Sequence, residues 1–216
     1  MSDPTLLVVA KAPVPGLAKT RVARDVGDDA AADLAAAALL DTLDTAMSTG
    51  LTVIVALTGD LGRSARSEEL WTTLADLVVV PQVGETFGER LARAHLDADG
   101  GHGVVQVGMD SPQALADDLA EAARRLSDHR SVLGLAEDGG WWLLGVQHGS
   151  DAAALATVEM STPSTGQHTR EVLPGPTALV RTLRDVDTWA DARTVATAIP
   201  NSRFAATVTE SVMVHP

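Results

Sequence analysis

Short uninterrupted apolar runs alternate along the chain with longer segments of helical spacing, and this alternation restricts the fold more than any other feature of the sequence. Residues 5–10 read Thr-Leu-Leu-Val-Val-Ala, a β-favouring run with no polar face, which is the pattern of a strand buried on both sides. It stops at a loop rich in Pro and Gly. Residues 28–49 are rich in Ala and Leu with helical spacing, and Gly50 sits where a helix stop is expected. Further apolar runs at 52–57, 77–80 and 104–107 are separated by a partly helical stretch containing Trp71 and by a helix expected over 87–97. A helix over 112–126 follows, with Ser111 as its N-cap and Pro112 as its first residue. Strands alternating with helices predict an α/β fold: an open, mostly parallel sheet with helices on both faces, ligands lying beyond the strand carboxyl ends.

After residue 126 the pattern changes. Residues 131–136 and 141–146 are strand-like and joined through Glu137-Asp138-Gly139-Gly140, which predicts a hairpin and hence a small antiparallel part. The polar stretch 161–169 opens a short helix. An apolar run at 179–183 precedes a helix from Trp189, with Thr188 and Asp191 spaced as a capping box. Residues from about 201 carry no clear signal. A length of 216 residues with 45% hydrophobic and 21% charged residues fits one globular domain over 1–216.

The charge balance narrows the partners. With 29 acidic and 16 basic side chains the formal net charge is -13, a field that repels nucleic acid and acidic membrane surfaces. Cysteine is absent, so disulfides, thiolate metal sites and a Cys nucleophile are excluded, leaving oxygen-rich ligation. His95, His102, His129, His148, His168 and His215 are too scattered for metal-ligand spacing, and only His168 falls in a polar stretch. No run approaches the ~20 apolar residues of a membrane span, and the opening residues lack signal-peptide character. The expected location is cytoplasmic.

Four segments can carry chemistry. Lys11 and Lys19 are the only lysines, and both lie in the loop that follows the first strand, with Pro15, Gly16 and Arg21. Lysine is a compact charge suited to phosphate oxygens, and arginine adds a planar fork. The spacing is not that of a Walker loop. Asp110, in Gly108-Met109-Asp110-Ser111-Pro112, ends a buried strand, where a carboxylate can hold a hard cation against a diphosphate. Asp185 and Asp187 turn to one side of an extended chain outside the Thr188 capping box, which makes one of them a candidate second ligand. Gly139 and Gly140 allow close backbone approach, Asp138 can serve as a general base, and Trp141 or Trp142 can form an acceptor platform. Against these stand plainer roles: a surface loop, a hairpin turn, core tryptophans. Thr86 and Glu89 form a further capping box, and Arg90 beside them either reaches a phosphate or is an exposed helical arginine.

Taken together, residues 11–21, 108–112, 137–145, 158–163 and 185–188 resemble the DUF2064 family, in order and over most of the chain. That family is part of the GT-A, or nucleotide-diphospho-sugar transferase, superfamily and is similar to the guanylyltransferases of coenzyme F420 and molybdenum-cofactor synthesis. The resemblance implies a Rossmann-like sheet with the nucleotide over the first loop and a metal between Asp110 and the Asp185/Asp187 segment. The chain departs from neighbouring patterns in three ways. It has Gly-Met-Asp-Ser-Pro in place of a full Asp-x-Asp, lacks the Gly-Gly-x-Gly-x-Arg opening, and carries tryptophans after the double glycine where tyrosines are expected.

The function expected is glycosyl transfer from a nucleotide sugar to a small acceptor. Lys11, Lys19 and Arg21 neutralise the diphosphate, with Arg90 as a further nucleotide contact. Asp110 and Asp187, or Asp185, hold Mg2+ or Mn2+, and Asp138 is the base. Gly139, Gly140, Trp141, Ser161 and Thr162 face the acceptor. The first alternative is nucleotidyl transfer from a nucleoside triphosphate to a phosphorylated small molecule; the second is a nucleotide-binding module without catalysis. Among protein partners, a homodimer is the one association allowed for.

Overall fold

The computed structural model describes residues 3–214; Met1, Ser2, His215 and Pro216 lie outside that range, and with them part of the N-terminal reading and one of the six histidines. Strand β1 (Thr5–Lys11) is buried at every residue but the last. It pairs in parallel with β2 (Val53–Thr58) on one edge and β4 (Val104–Gly108) on the other. Strand β3 (Val78–Pro81) lies outside β2, again parallel. On the other side β6 (Trp141–Val146) runs antiparallel to both β4 and β5 (Ser131–Ala136), and β7 (Thr177–Leu183) closes the far edge parallel to β5. The order of the seven strands is β3-β2-β1-β4-β6-β5-β7. The expected α/β sheet with a small antiparallel part is the one observed.

One face of the sheet packs Leu6, Val8, Val105 and Val107 under α2 (Asp28–Ser48), α3 (Ser67–Leu74) and α5 (Ala116–Arg125). The other packs Leu7, Val9, Val104 and Leu144 under α4 (Phe87–Ala98) and the 3-10 segment Gly149–Thr157. Helix α2 is apolar nearly all round because it is covered twice: by the sheet, and on its outer side by α1 (Thr20–Val26), α7 (Trp189–Ala198) and α8 (Arg203–Val214). Its alanines allow close approach on both sides. Helix α6 (Thr165–Val172) completes the fold. Among the described residues no helix is long and apolar enough to cross a membrane.

Three sequence expectations change. Helix α1 carried no recognised signal; its N-cap is Lys19 in a left-handed conformation, φ 46°. Helix α5 begins at Ala116 and not at Pro112, because the Asp118 carboxylate accepts the Leu115 N–H at 2.7 Å and so starts the helix one turn later. Ser111 is therefore no cap; its hydroxyl donates to Asp185 Oδ1 at 3.0 Å. The unread C-terminal segment forms α8, tied down by Arg203 to Asp41, Asp44 and Glu69 and by Arg66 to Asp33 and Thr207. The two expected capping boxes, Thr86 with Glu89 and Thr188 with Asp191, are both formed. His95 is fully buried, and burial holds its pKa down at about 4, so it is a neutral core residue.

Helix α4 covers one side of the strand ends, and its seat depends on Gly88. A Cβ at that position would collide with the backbone of Leu155 and Ala156 in the 3-10 segment. Gly88→Ala should lower unfolding free energy by about 1–3 kcal/mol, the usual range for forcing extra volume into a packed contact, as read by urea denaturation. A variant as stable as the parent would show that α4 can shift freely.

Candidate functional site

The parallel strands diverge between β1 and β4, since β1 leads to β2 on one side and β4 lies on the other. Crossovers on opposite sides leave a crevice beyond the carboxyl ends at such a point. A cavity of about 700 Å³ opens there. It is lined by Lys11 at the end of β1 and Arg21 from α1, Asp110 and Ser111 after β4, Asp138, Gly140 and Trp141 from the hairpin, Ser161 and Thr162, and Asp185 and Asp187 after β7. Arg90 lines it from α4. Segments far apart in sequence are thus brought together, as the motif reading expected.

The cations are not idle. The Lys19 side chain, 9% exposed, makes a 2.8 Å ion pair with Asp110 and donates to the Val186 carbonyl. Lys19 therefore sits behind the acidic cluster, not among the lining side chains, in contrast to the direct diphosphate contact expected of it. Arg21 pairs with Asp187 at 2.9 Å, and Lys11 donates to the Leu17 carbonyl at 2.9 Å. Pro15 and Gly16 shape the loop without lining the cavity; Gly16 has φ 76° and lies against Asp28.

The carboxylates divide into two kinds. Asp187 is half-exposed and paired with Arg21. Asp185 is partly buried, accepts from Ser111, and is pushed up to about 7, first by burial and then by the nearby Asp110 and Asp138 charges. The Val186 N–H donates to the Asp110 carbonyl at 3.3 Å, which fixes the two acidic segments side by side. Among the described residues no three His, Asp or Glu side chains are gathered closely enough to form a ready metal cluster.

The hairpin turn is held by Asp138, whose Oδ1 accepts the Gly140 N–H at 2.8 Å, and by the Glu137–Arg184 ion pair at 2.6 Å. Gly139 has φ 91°, and a Cβ there would strike the Pro163 carbonyl, so glycine is what lets the turn lie against the 161–163 loop. Ser161 itself has φ 62°. It and Lys19 are two of the three non-glycine residues with positive φ among those described, a conformation that costs free energy and here falls on predicted site positions. Both tryptophans line the cavity, but Trp142 is 2% exposed and donates to the Arg181 carbonyl, a core role, whereas Trp141 is partly exposed.

Sequence reasoning missed Thr58, Gln82, Gln106 and Met160, all of which line the cavity. Gln82 donates its amide to the carbonyls of Ala10 and Ala56, at 2.8 and 3.0 Å, which leaves its Oε1 as an acceptor. Gln106 was detectable as the one polar residue in the apolar run at 104–107.

A search of curated proteins finds none that matches. Among solved structures, a protein from Desulfovibrio desulfuricans G20 assigned as a nucleotide-diphospho-sugar transferase superposes with a TM-score of 0.85 at 26% identity, covering 99% of this chain and 96% of that one. The Rv0371c protein of Mycobacterium tuberculosis H37Rv in complex with manganese matches at TM-score 0.53 and 21% identity over 90% and 98% of the two chains. The 4-diphosphocytidyl-2C-methyl-D-erythritol synthase of Anaerococcus prevotii DSM 20548 matches at 0.59 and 12% over 93% and 99%. The fold is that of the nucleotide-diphospho-sugar transferases. The model of the family described as "Uncharacterized protein conserved in bacteria (DUF2064)" matches residues 40–162, more than half of the chain, and the protein belongs to that family.

Proposed function

We propose that the protein is a metal-dependent transferase that moves a glycosyl group from a nucleotide sugar to a small acceptor. The observation that carries the reading is the meeting, on one cavity, of cations from the β1–α1 region with aspartates from three separate strand ends, Asp110, Asp138 and Asp185. The likeness to the Desulfovibrio protein supports a nucleotide-using transferase.

Lys11 and Arg21 bind the diphosphate, with their present partners, a carbonyl and Asp187, giving way to phosphate oxygens. The donor set is of the kind a hard divalent cation takes: carboxylates from Asp110 and Asp185 lie on adjacent segments, and a cation there would favour the ionised form of Asp185 that burial and the nearby Asp110 and Asp138 charges disfavour. Asp110 would hold the ion together with Asp185, or with Asp187 once Arg21 has turned from it to phosphate. When bound, the ion stabilises charge on the departing nucleoside diphosphate. Lys19 keeps Asp110 in place from behind. Asp138 takes the proton of the acceptor hydroxyl; the Gly140 N–H on its Oδ1 fixes the carboxylate and leaves Oδ2 for that task.

Metal binding requires ionised Asp185, so below its pKa of about 7 the ion must displace a proton. Affinity for Mn2+ or Mg2+ should rise as pH increases toward 7 and level off above it, and Asp185→Asn should bind more weakly with a flattened profile. Calorimetric titration across that range reads both; a wild-type affinity independent of pH removes Asp185 from the ligand set.

A panel of nucleotide sugars and nucleoside triphosphates, with and without Mg2+ or Mn2+, tests the donor. At 100 times its dissociation constant the correct donor adds about 2.7 kcal/mol to folded-state stability. That shift should need the metal and disappear in Asp110→Ala; a shift that survives the substitution and the removal of metal would argue against the reading.

The same cations also suit nucleotidyl transfer from a triphosphate, where positioning and charge neutralisation leave less for a base to do. Asp138→Asn separates the two. Glycosyl transfer should fall by roughly 10²–10⁴-fold, the typical contribution of a general base. A loss of only a few fold in a working assay would favour nucleotidyl transfer.

A further inference from the structure

Strand β4 reads Val-Val-Gln-Val-Gly, and its single polar side chain lies near the middle of the sheet. Gln106 is 3% exposed and sits in register with Leu7 of β1 and Leu144 of β6, both in the apolar cluster under α4. Its Oε1 is buried without a hydrogen-bond partner among the described residues. A leucine would satisfy this environment better, since an unpaired buried carboxamide is destabilising.

Arg90 shows a matching deficit on the helix above. It stands next to Leu91 and one turn before Ala94, both packed in the same cluster. Its Nε is buried and unpaired, its guanidinium lies 5.5 Å from the Phe87 ring centre, and its one recorded hydrogen bond, to the Glu85 carbonyl, is 3.5 Å long. Among the described residues no carboxylate pairs with it, which is true also of Arg24, Arg63, Arg170 and Arg193, but of these Arg90 is the one with a buried, unpaired Nε. Both residues line the cavity, and beside them are Trp141, whose indole N–H is tied to Thr169 at 3.1 Å, and Met160.

Both unpaired atoms are closed to solvent, but both side chains line the cavity, and a change of side-chain torsion would turn them to a ligand there. A guanidinium without a carboxylate partner calls for an anionic oxygen. A carboxamide that must both donate and accept is matched by a hydroxyl, which does both. We propose that Arg90 and Gln106 form a recognition niche for the acceptor, and that this acceptor carries a hydroxyl beside an anionic group, a carboxylate or a phosphate. The proposal rests on the transferase reading above in one respect, the naming of the occupant as the acceptor. The niche adjoins Trp141 on the hairpin that carries Asp138, whereas the diphosphate has its own cations in Lys11 and Arg21. Aromatic and thioether walls cover the acceptor's carbon skeleton.

Isothermal titration of the full chain with glycerate, glycerol 3-phosphate and neutral glycerol tests this, each with and without UDP or GDP and manganese. At least one anionic probe should bind about tenfold or more tighter than glycerol, about 1.4 kcal/mol, and which one does so distinguishes carboxylate from phosphate. Arg90→Met should abolish the preference. Gln106→Leu should weaken the anionic probe by about tenfold while raising Tm, because it replaces an unsatisfied amide with the side chain its neighbours carry. Nucleotide affinity should be unchanged in both variants. Equal binding of the three probes, unaltered binding in the variants, or a lower Tm for Gln106→Leu overturns the proposal. Loss of nucleotide affinity also overturns it, by assigning the niche to ribose and phosphate. Anionic probes binding where no nucleotide does would defeat the transferase reading and leave the niche standing; the reverse would defeat the niche alone.

Discussion

The double burial of β1 sets the rest of the structure. A strand covered on both faces has no solvent for its polar backbone, so both edges must be paired, and here they are, by β2 and β4 in parallel. Parallel pairing on both edges sends one crossover to each side of the sheet and leaves nothing over the carboxyl ends of β1 and β4. The chain leaves β1 at that uncovered point with Lys11, and within the next ten residues come Gly16, Lys19, which is the other lysine of the chain, and Arg21. Where the cations sit is thus a consequence of how the strand is buried.

The electrostatics of the cavity follow from a strongly acidic chain keeping its few cations close to its acids. Lys19 holds Asp110, Arg21 holds Asp187, and Arg184 holds Glu137 and Asp191. Asp138 and Asp185 are the acids lining the cavity that no lysine or arginine contacts directly, and Asp185, the more buried of the two, is pushed up to about 7. Burial alone would raise it; the proximity of Asp110 and Asp138 adds to the effect. In such an arrangement an incoming cation and an incoming polyanion assist one another, since the first takes up carboxylate charge and the second engages the guanidinium and ammonium groups that carboxylates now occupy.

Much of this was legible in the sequence, for identifiable reasons. Buried parallel strands write continuous apolar runs, and capping boxes at Thr86 and Thr188 mark helix starts by local chemistry, so both survive without tertiary information. Helix α5 was misplaced because Ser111-Pro112 satisfies the local rule for a helix start, while the actual start depends on Asp118, itself held by Arg181 from β7. That ion pair spans 63 residues and has no local signature. The role of Lys19 was likewise hidden: its partner Asp110 is legible as a site acid, but nothing local says that the two meet. Gln106 was visible and passed over, because a single polar residue in an apolar run reads as noise until the strand is known to be central.

Departures from local stability collect around the cavity. Lys19 and Ser161 adopt left-handed backbone, Asp185 is a carboxyl group partly buried beside two other carboxylates, and Gln106 and Arg90 bury polar atoms without partners. The sheet and helices behind them carry apolar clusters on both faces and have caps in place, with His95 Nε2 and Gln113 Oε1 as buried unpaired atoms away from the cavity lining. A sequence under no functional demand would have little reason to keep a glutamine between Leu7 and Leu144 or an arginine with its Nε buried and unpaired. Each of these local costs is one that a specific ligand group can offset: a cation for Asp185, an anion for Arg90, a hydroxyl for Gln106. Their concentration in one cavity gives the site a chemical specification that neither the fold nor any single motif supplies.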